Sequence, residues 1–150
     1  CSQHNLPEPN YNIEIKSDSA DYGIYQPQPE EFCLLVMQVI QQNFKPSTYT
    51  VQSFDFNVLR LLKKNYSEIT LAALTETEPD IERNIAALGF TPPIFSPYYF
   101  FVTEQMVSYC KQNNIRLIPW TVNKKQEMEM LIKMGVDGII TDYPNLLLNK

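Results

Sequence analysis

The sequence predicts an α/β fold with a parallel sheet, and three observations carry that prediction. Residues 116–122 form an apolar run ending in Pro119-Trp120-Thr121-Val122, after which Asn123 opens a helix that Gly135 stops. A second apolar run, Gly138-Ile139-Ile140-Thr141, reaches Asp142 just before Pro144 starts another helix. Residues 68–74 are almost wholly apolar, the pattern of a strand buried on both faces. Strand and helix alternate along the chain, which calls for parallel strands joined by right-handed crossovers. Ligands bind such folds at the carboxyl ends of the strands, where Trp120, Thr121, Thr141 and Asp142 gather.

In chain order, residues 11–17 alternate, with Ile13 and Ile15 on one side and Glu14 and Lys16 on the other, so they form a strand. The two isoleucines are expected beneath the next helix, and Glu14 and Lys16 on the opposite face. A loop over residues 18–29 is long enough to cover a site. The helix over residues 30–43 carries Phe32, Leu35, Val36, Val39 and Ile40 at core-facing spacing. Residues 49–54 are the second strand. Residues 55–64 are the second helix, with Val58, Leu59, Leu61 and Leu62 inward.

The buried strand at 68–74 precedes a helix over 80–88 that Gly89 closes. Residues 92–97 are extended but broken by prolines, and read as a minor strand or a strand-like loop. Thr103 caps a helix to Asn113 whose buried side carries Met106, Val107 and Cys110. Residues 116–122 are the next strand. Asn123 is expected as an N-cap, with Gln126 at capping-box distance and Met128, Leu131, Ile132 and Met134 inward. The last strand is residues 138–141. Asp142 is expected to cap the terminal helix, and Asp137 and Gly138 to be structural.

Composition bounds the function. A chain of 150 residues, 44% hydrophobic and 19% charged, can bury one core, and residues 1–150 are read as a single domain. A net charge of −5 argues against nucleic acid and anionic membranes as partners. No apolar run approaches the roughly 20 residues that span a bilayer, and no signal-peptide pattern is visible. A soluble protein, cytoplasmic or exported, is expected. Of the three cysteines, Cys33 and Cys110 read as buried thiols. Cys1 matches the start of a mature bacterial lipoprotein, but the preferred reading is a chain that begins mid-element and is the later part of something longer.

Four segments in order, Asn12-Ile13-Glu14-Ile15-Lys16-Ser17, Val51-Gln52-Ser53-Phe54-Asp55, Trp120-Thr121-Val122-Asn123 and 135–144, together resemble the glycerophosphodiester phosphodiesterase family. The resemblance covers nearly the whole chain. It implies a partial (β/α)₈ TIM barrel, roughly strands four to eight with their helices and with residues 68–74 as the sixth. A full barrel takes about 250 residues. The family's His-Arg-Gly and Glu-x-Asp strands and its second histidine motif do not occur in this sequence. The only histidine, His4, matches neither position and reads as a surface residue.

By resemblance, the complete enzyme hydrolyses a glycerophosphodiester to glycerol 3-phosphate and an alcohol. A divalent cation, Mg²⁺ or Ca²⁺, would neutralise the phosphoryl oxygens. Glu14 falls at a metal-ligand position, and Lys16, on the same face, would hold phosphate as a point charge. Trp120 would lie against the glycerol carbons, and Ser53 and Phe54 would line the site. No catalytic residue is expected in this chain, because the family's acid–base histidines are absent, so the chain alone should be inactive. Glu14 and Lys16 are expected to share a cavity with Trp120.

Five β/α units leave raw sheet edges, so self-association or pairing with the missing barrel units is expected. The alternative is a non-catalytic barrel fragment that serves as a binding or assembly module. A flavodoxin-type open domain fits the length, but no Gly-rich phosphate loop follows any strand.

Overall fold

The computed structural model of the protein describes residues 9–148; Cys1 and His4 lie outside the described residues. Among those described, strands β1 (Tyr11–Glu14), β2 (Tyr49–Ser53), β3 (Thr70–Thr75), β4 (Ile94–Pro97) and β5 (Arg116–Leu117) alternate with helices. The helices are α1 (Pro29–Asn43), α2 (Phe56–Asn65), α3 (Ile81–Leu88), α4 (Glu104–Gln112) and α5 (Lys125–Met134), followed by the short α6 (Asn145–Leu148). This is the expected α/β fold, with a parallel sheet of five strands in chain order. The chain divides into two compact units, residues 1–71 and 72–150.

In the first unit, β1 and β2 run parallel, with Ile13 beside Val51 and Glu14 beside Gln52. The ladder continues past β1 through the Ile15 N–H, which donates to the Gln52 carbonyl at 2.8 Å. Side chains alternate as the sequence requires: Ile15 and Val51 are buried, and Glu14 and Lys16 are exposed. α1 starts with proline in its first turn, followed by Glu30 and Glu31 at the positive end of the helix dipole. Its buried face is not the expected stripe. Cys33, Met37 and Ile40 point inward, whereas Leu35 and Val39 are 47% and 62% exposed. The helix is apolar around more than half of its circumference, so periodicity alone could not say which part meets the sheet. On α2, Val58, Leu59 and Leu62 are fully buried as expected, and Leu61 is half-buried.

In the second unit, the segment expected as a minor strand or a strand-like loop is the strand β4. Ile94–Pro97 is buried along its whole length and pairs with both β3 and β5. It is a full member of the sheet, because Pro92 and Pro93 precede the paired segment and Pro97 ends it. The segment expected as a strand over 116–122 is cut to Arg116–Leu117. Pro119 brings no N–H, and beyond it a single bridge joins Trp120 to Tyr98.

Residues 138–141 form no strand, although the Ile140 N–H reaches the Pro119 carbonyl and the Val122 N–H reaches the Ile140 carbonyl, both at 2.9 Å. Asp137 is structural, as expected. Its carboxylate accepts the Leu117 N–H at 2.8 Å, while its own N–H donates to the Leu117 carbonyl at 2.9 Å. Met128, Leu131 and Val122 form a buried cluster, but Ile132 is exposed.

Gly89 and Gly135 end α3 and α5 in left-handed conformation, at φ of 81° and 94°, where an L side chain is strained. The Thr103 hydroxyl caps α4 by accepting the Met106 N–H.

Both described cysteines are buried. Burial, reinforced by the nearby Asp55 and Glu30 carboxylates, pushes the Cys33 thiol up to about 11. Burial and Asp137 push Cys110 up to about 12. Thiolate is the reactive form, so both should resist alkylation in the folded chain at pH 8. Mass-spectrometric mapping should show modification at Cys33 and Cys110 only after denaturant is added.

Candidate functional site

The first unit gathers its polar groups where β1 and β2 end. Parallel register and the two-residue period place Asn12 and Glu14 on the same face as Gln52, and Lys16 continues that side beyond the buried Ile15. The Asn12 amide donates to the buried Gln52 side chain at 2.8 Å, a polar contact on that face that the sequence reading missed. Phe54, in the bend just past β2, is 40% exposed. Ser53, expected to line the site beside Phe54, is the last residue of β2. It is fully buried. Its hydroxyl donates to the Ile15 carbonyl at 2.7 Å and accepts the Asp55 N–H at 3.1 Å, fastening β1 to β2.

Asp55 holds this end of the unit together, and the sequence reading placed it only as the start of a helix. One carboxylate oxygen caps α2 through the Asn57 N–H at 2.9 Å. The other accepts the Ser17 hydroxyl at 2.6 Å and the Tyr22 phenol. Gln26 donates to Ser17 at 3.0 Å and to the Asp18 carbonyl at 2.9 Å. The loop over 18–28 is thus tied to the residue after Lys16. Burial and then the hydrogen bond to Asp55 raise the Tyr22 phenol above its ordinary range, so it stays a donor at neutral pH. A cleft of about 340 Å³ lies here, lined by Ser17, Asp18, Ser19, Phe54, Asp55, Phe56 and Asn57.

In the second unit, Trp120 is half-buried at the carboxyl end of its segment. Its indole N–H donates to the Ser96 carbonyl at 2.8 Å, and its ring lies 5.7 Å from that of Tyr98. The indole N–H edge is therefore fixed against β4. Tyr98, which packs against Tyr99 and Phe101 as well, belongs to this cluster and was not foreseen. Thr75 ends β3 with a buried hydroxyl that has no hydrogen-bond partner among the described residues.

Asn123 does not cap α5. The helix begins at Lys125 without a side-chain cap, and Asn123 instead links to the last segment. Its amide donates to Asp142 at 2.7 Å and its oxygen accepts the Asp142 N–H at 3.0 Å. Asp142, expected to cap the terminal helix, is engaged by Asn123, and the Thr141 hydroxyl accepts the Tyr143 N–H at 3.0 Å.

The described residues include no group of three or more His, Cys, Asp or Glu side chains placed to hold a metal ion. Glu14 is exposed and is not part of such a group. No helix among the described residues is long and apolar enough to cross a membrane.

Comparison with known proteins bears on these groupings. The model of the glycerophosphoryl diester phosphodiesterase family matches residues 4–146. A glycerophosphodiester phosphodiesterase of Caldanaerobacter subterraneus is 37% identical over 92% of this chain and 54% of its own length. The chain spans about half the length of the curated relatives it matches. Among solved structures, a Silicibacter pomeroyi protein superposes with a TM-score of 0.81 at 23% identity, over 97% of this chain and 51% of that one. An Oleispira antarctica phosphodiesterase, solved with the product sn-glycerol-3-phosphate, superposes with a TM-score of 0.76 at 19% identity, over 98% and 56%. At such identities the structural likeness is one of fold.

Proposed function

We propose, from the premise that this chain belongs to the glycerophosphoryl diester phosphodiesterase family, that it supplies part of an enzyme hydrolysing glycerophosphodiesters to glycerol 3-phosphate and an alcohol. Residues 1–150 would be one domain, the C-terminal portion of a TIM barrel, completed by β/α units outside this chain. The observation that carries the reading is the first unit's polar face, where Glu14 ends β1 and Lys16 follows it on the same side.

Lys16 would hold the anionic phosphoryl group, and Phe54 would bound the same face. Trp120 would offer its aromatic face to the glycerol carbons. Ser53 and Asp55 would position these groups without touching substrate. Glu14 would ligate Mg²⁺ or Ca²⁺ only with further carboxylates from outside the chain, and acid–base residues would have to come from the same source.

The test is hydrolysis of glycerophosphocholine by the chain alone and by the chain co-expressed with the portion of the Caldanaerobacter relative outside the match. The isolated chain should show no turnover and no saturable Mg²⁺ or Ca²⁺ binding. The combined protein should turn over, and Glu14→Gln should lower kcat/KM about a hundredfold. Turnover by the isolated chain that disappears in Glu14→Ala would overturn the inactivity of the fragment. Absence of turnover in the assembled protein would instead favour the competing reading, a non-catalytic assembly module.

A further inference from the structure

The turn over residues 21–26 has no role in the reading above, and its tip is apolar. The Asp21 carbonyl accepts the Ile24 and Tyr25 N–H groups at 3.0 and 3.1 Å, and the Gly23 N–H donates to the Gln26 carbonyl at 2.8 Å. Turns are ordinarily built from Gly, Pro, Asn, Asp and Ser. Here the tip is Ile24-Tyr25, 72% and 87% exposed. The base of the turn is held by Tyr22 on Asp55 and by Gln26 on Ser17 and the Asp18 carbonyl. An isoleucine and a tyrosine are therefore displayed to solvent on an anchored backbone.

Tyr22, within this turn, and Gln28, just after it, also line a groove of about 500 Å³ between α1 and α2. The walls of the groove carry opposite charges. Glu30 stands on the α1 side, and Arg60 and Lys64, one helical turn apart, stand on the α2 side. Among the described residues, neither Glu30 nor Lys64 takes part in an ion pair. Arg60 donates to the Asn57 side chain at 2.5 Å, and Asn57 donates to the Tyr22 phenol at 3.2 Å, so the cationic wall is linked to the base of the turn. An anion in the groove meets the Glu30 carboxylate, and a cation meets Arg60 and Lys64. A ligand that bears both charges, a few ångströms apart, suits both walls.

We propose that the Ile24-Tyr25 tip and the adjoining groove form one docking surface for a bilayer of zwitterionic phospholipid. Ile24 enters the apolar boundary, and Tyr25 lies at head-group level, the depth that its amphipathic ring prefers. Arg60 and Lys64 take the phosphate of one head group, and Glu30 takes its quaternary ammonium. The net charge of −5 disfavours an anionic bilayer and carries no penalty against a neutral one. Because the turn is already anchored, little ordering is needed on contact. Attachment to a bilayer is separate from hydrolysis, and neither depends on the other.

The test is co-sedimentation of the full chain with phosphatidylcholine vesicles at millimolar lipid, with and without added phosphatidylglycerol. The chain is expected in the vesicle pellet, and phosphatidylglycerol should not strengthen the binding. The double substitution I24S/Y25S should lower the partition coefficient about tenfold or more, since it withdraws two side chains from the interface. Independently, K64E should lower it several-fold by turning one cationic contact into a repulsive one. F100S, which removes an exposed ring from the second unit, should leave it unchanged. All four positions are exposed, so binding is compared at matching thermal melts.

A chain that stays in the supernatant would overturn the proposal, as would binding that survives I24S/Y25S or K64E. So would binding that appears only with phosphatidylglycerol, because the surface recognised would then be an anionic one. Saturable calorimetric binding of soluble phosphocholine by a chain that ignores vesicles would give the groove to a free zwitterion and remove the bilayer.

Discussion

Replacing Asp55 by alanine is expected to destabilise the chain by about 2–4 kcal/mol. Loss of the N-cap on α2 alone costs about 1 kcal/mol. The remainder comes from the second carboxylate oxygen, which accepts the Ser17 hydroxyl and the Tyr22 phenol. Hydrogen bonds to a charged acceptor contribute about 1.5–3 kcal/mol each. Here the gain is smaller, because Ser17 and Tyr22 are only half-buried and can rehydrate.

The effect should be local as well as global. With Asp55 gone, the loop over 18–28 loses its anchor beside Lys16, and limited proteolysis should cut it before any other segment of the first unit. Asp55→Asn keeps a side-chain oxygen for the Asn57 N–H but removes the charge, so it should recover the cap and little else. Urea midpoints of the three proteins would check the order wild type, then Asn, then Ala. An alanine variant as stable as wild type would show that the loop is held by something other than this carboxylate.

That network also marks the limit of what the sequence discloses. The strand–helix alternation was legible because period two and period 3.6 are written in residues 11–17 and 104–112 themselves. Gly89 and Gly135 were legible because left-handed termini are chemically specific to glycine. Thr103 was legible for a related reason, since a hydroxyl just before a helix has one common use. In contrast, α1 carries apolar residues on too much of its circumference, and only the sheet decides that Cys33, Met37 and Ile40 are inside. Residues 92–97 look broken by proline, yet the prolines fall outside the paired positions or at the end of the strand.

The candidate site divides in the same way. Glu14 and Lys16 follow from alternation within one strand. That Ser53 is fully buried depends on its bond to the Ile15 carbonyl, 38 residues away, and is not written in its own segment. The partners of Asp55, at sequence separations of 38 for Ser17 and 33 for Tyr22, are set by tertiary folding and leave no local signature. Asn123 illustrates the point from the other end. Its side chain had a plausible local use as a cap, and a partner 19 residues away took it instead.

Phe95→Ala is expected to have the larger effect, a loss of about 3–5 kcal/mol. Phe95 is the largest of the fully buried side chains and sits in β4, with hydrogen-bonded strands on either side. A parallel ladder fixes the backbone at such a position, so the surroundings cannot collapse into the space, and the cavity term adds to the lost transfer energy. Phe100→Ala, five residues on, removes the same ring from a position that is 76% exposed, and should cost less than about 0.5 kcal/mol.

The same substitution should reach the aromatic cluster. Ser96, the next residue, gives its carbonyl to the Trp120 indole, and the Phe95 carbonyl accepts the Ile118 N–H at 3.0 Å. Loosening β4 at Phe95 therefore frees the segment that aims Trp120. Tryptophan fluorescence follows this directly, because Trp120 is the only tryptophan in the sequence. Phe95→Ala should shift its emission to the red below the unfolding transition, and Phe100→Ala should not. An unchanged spectrum alongside the full stability loss would mean that the indole is not held by the strand beneath it.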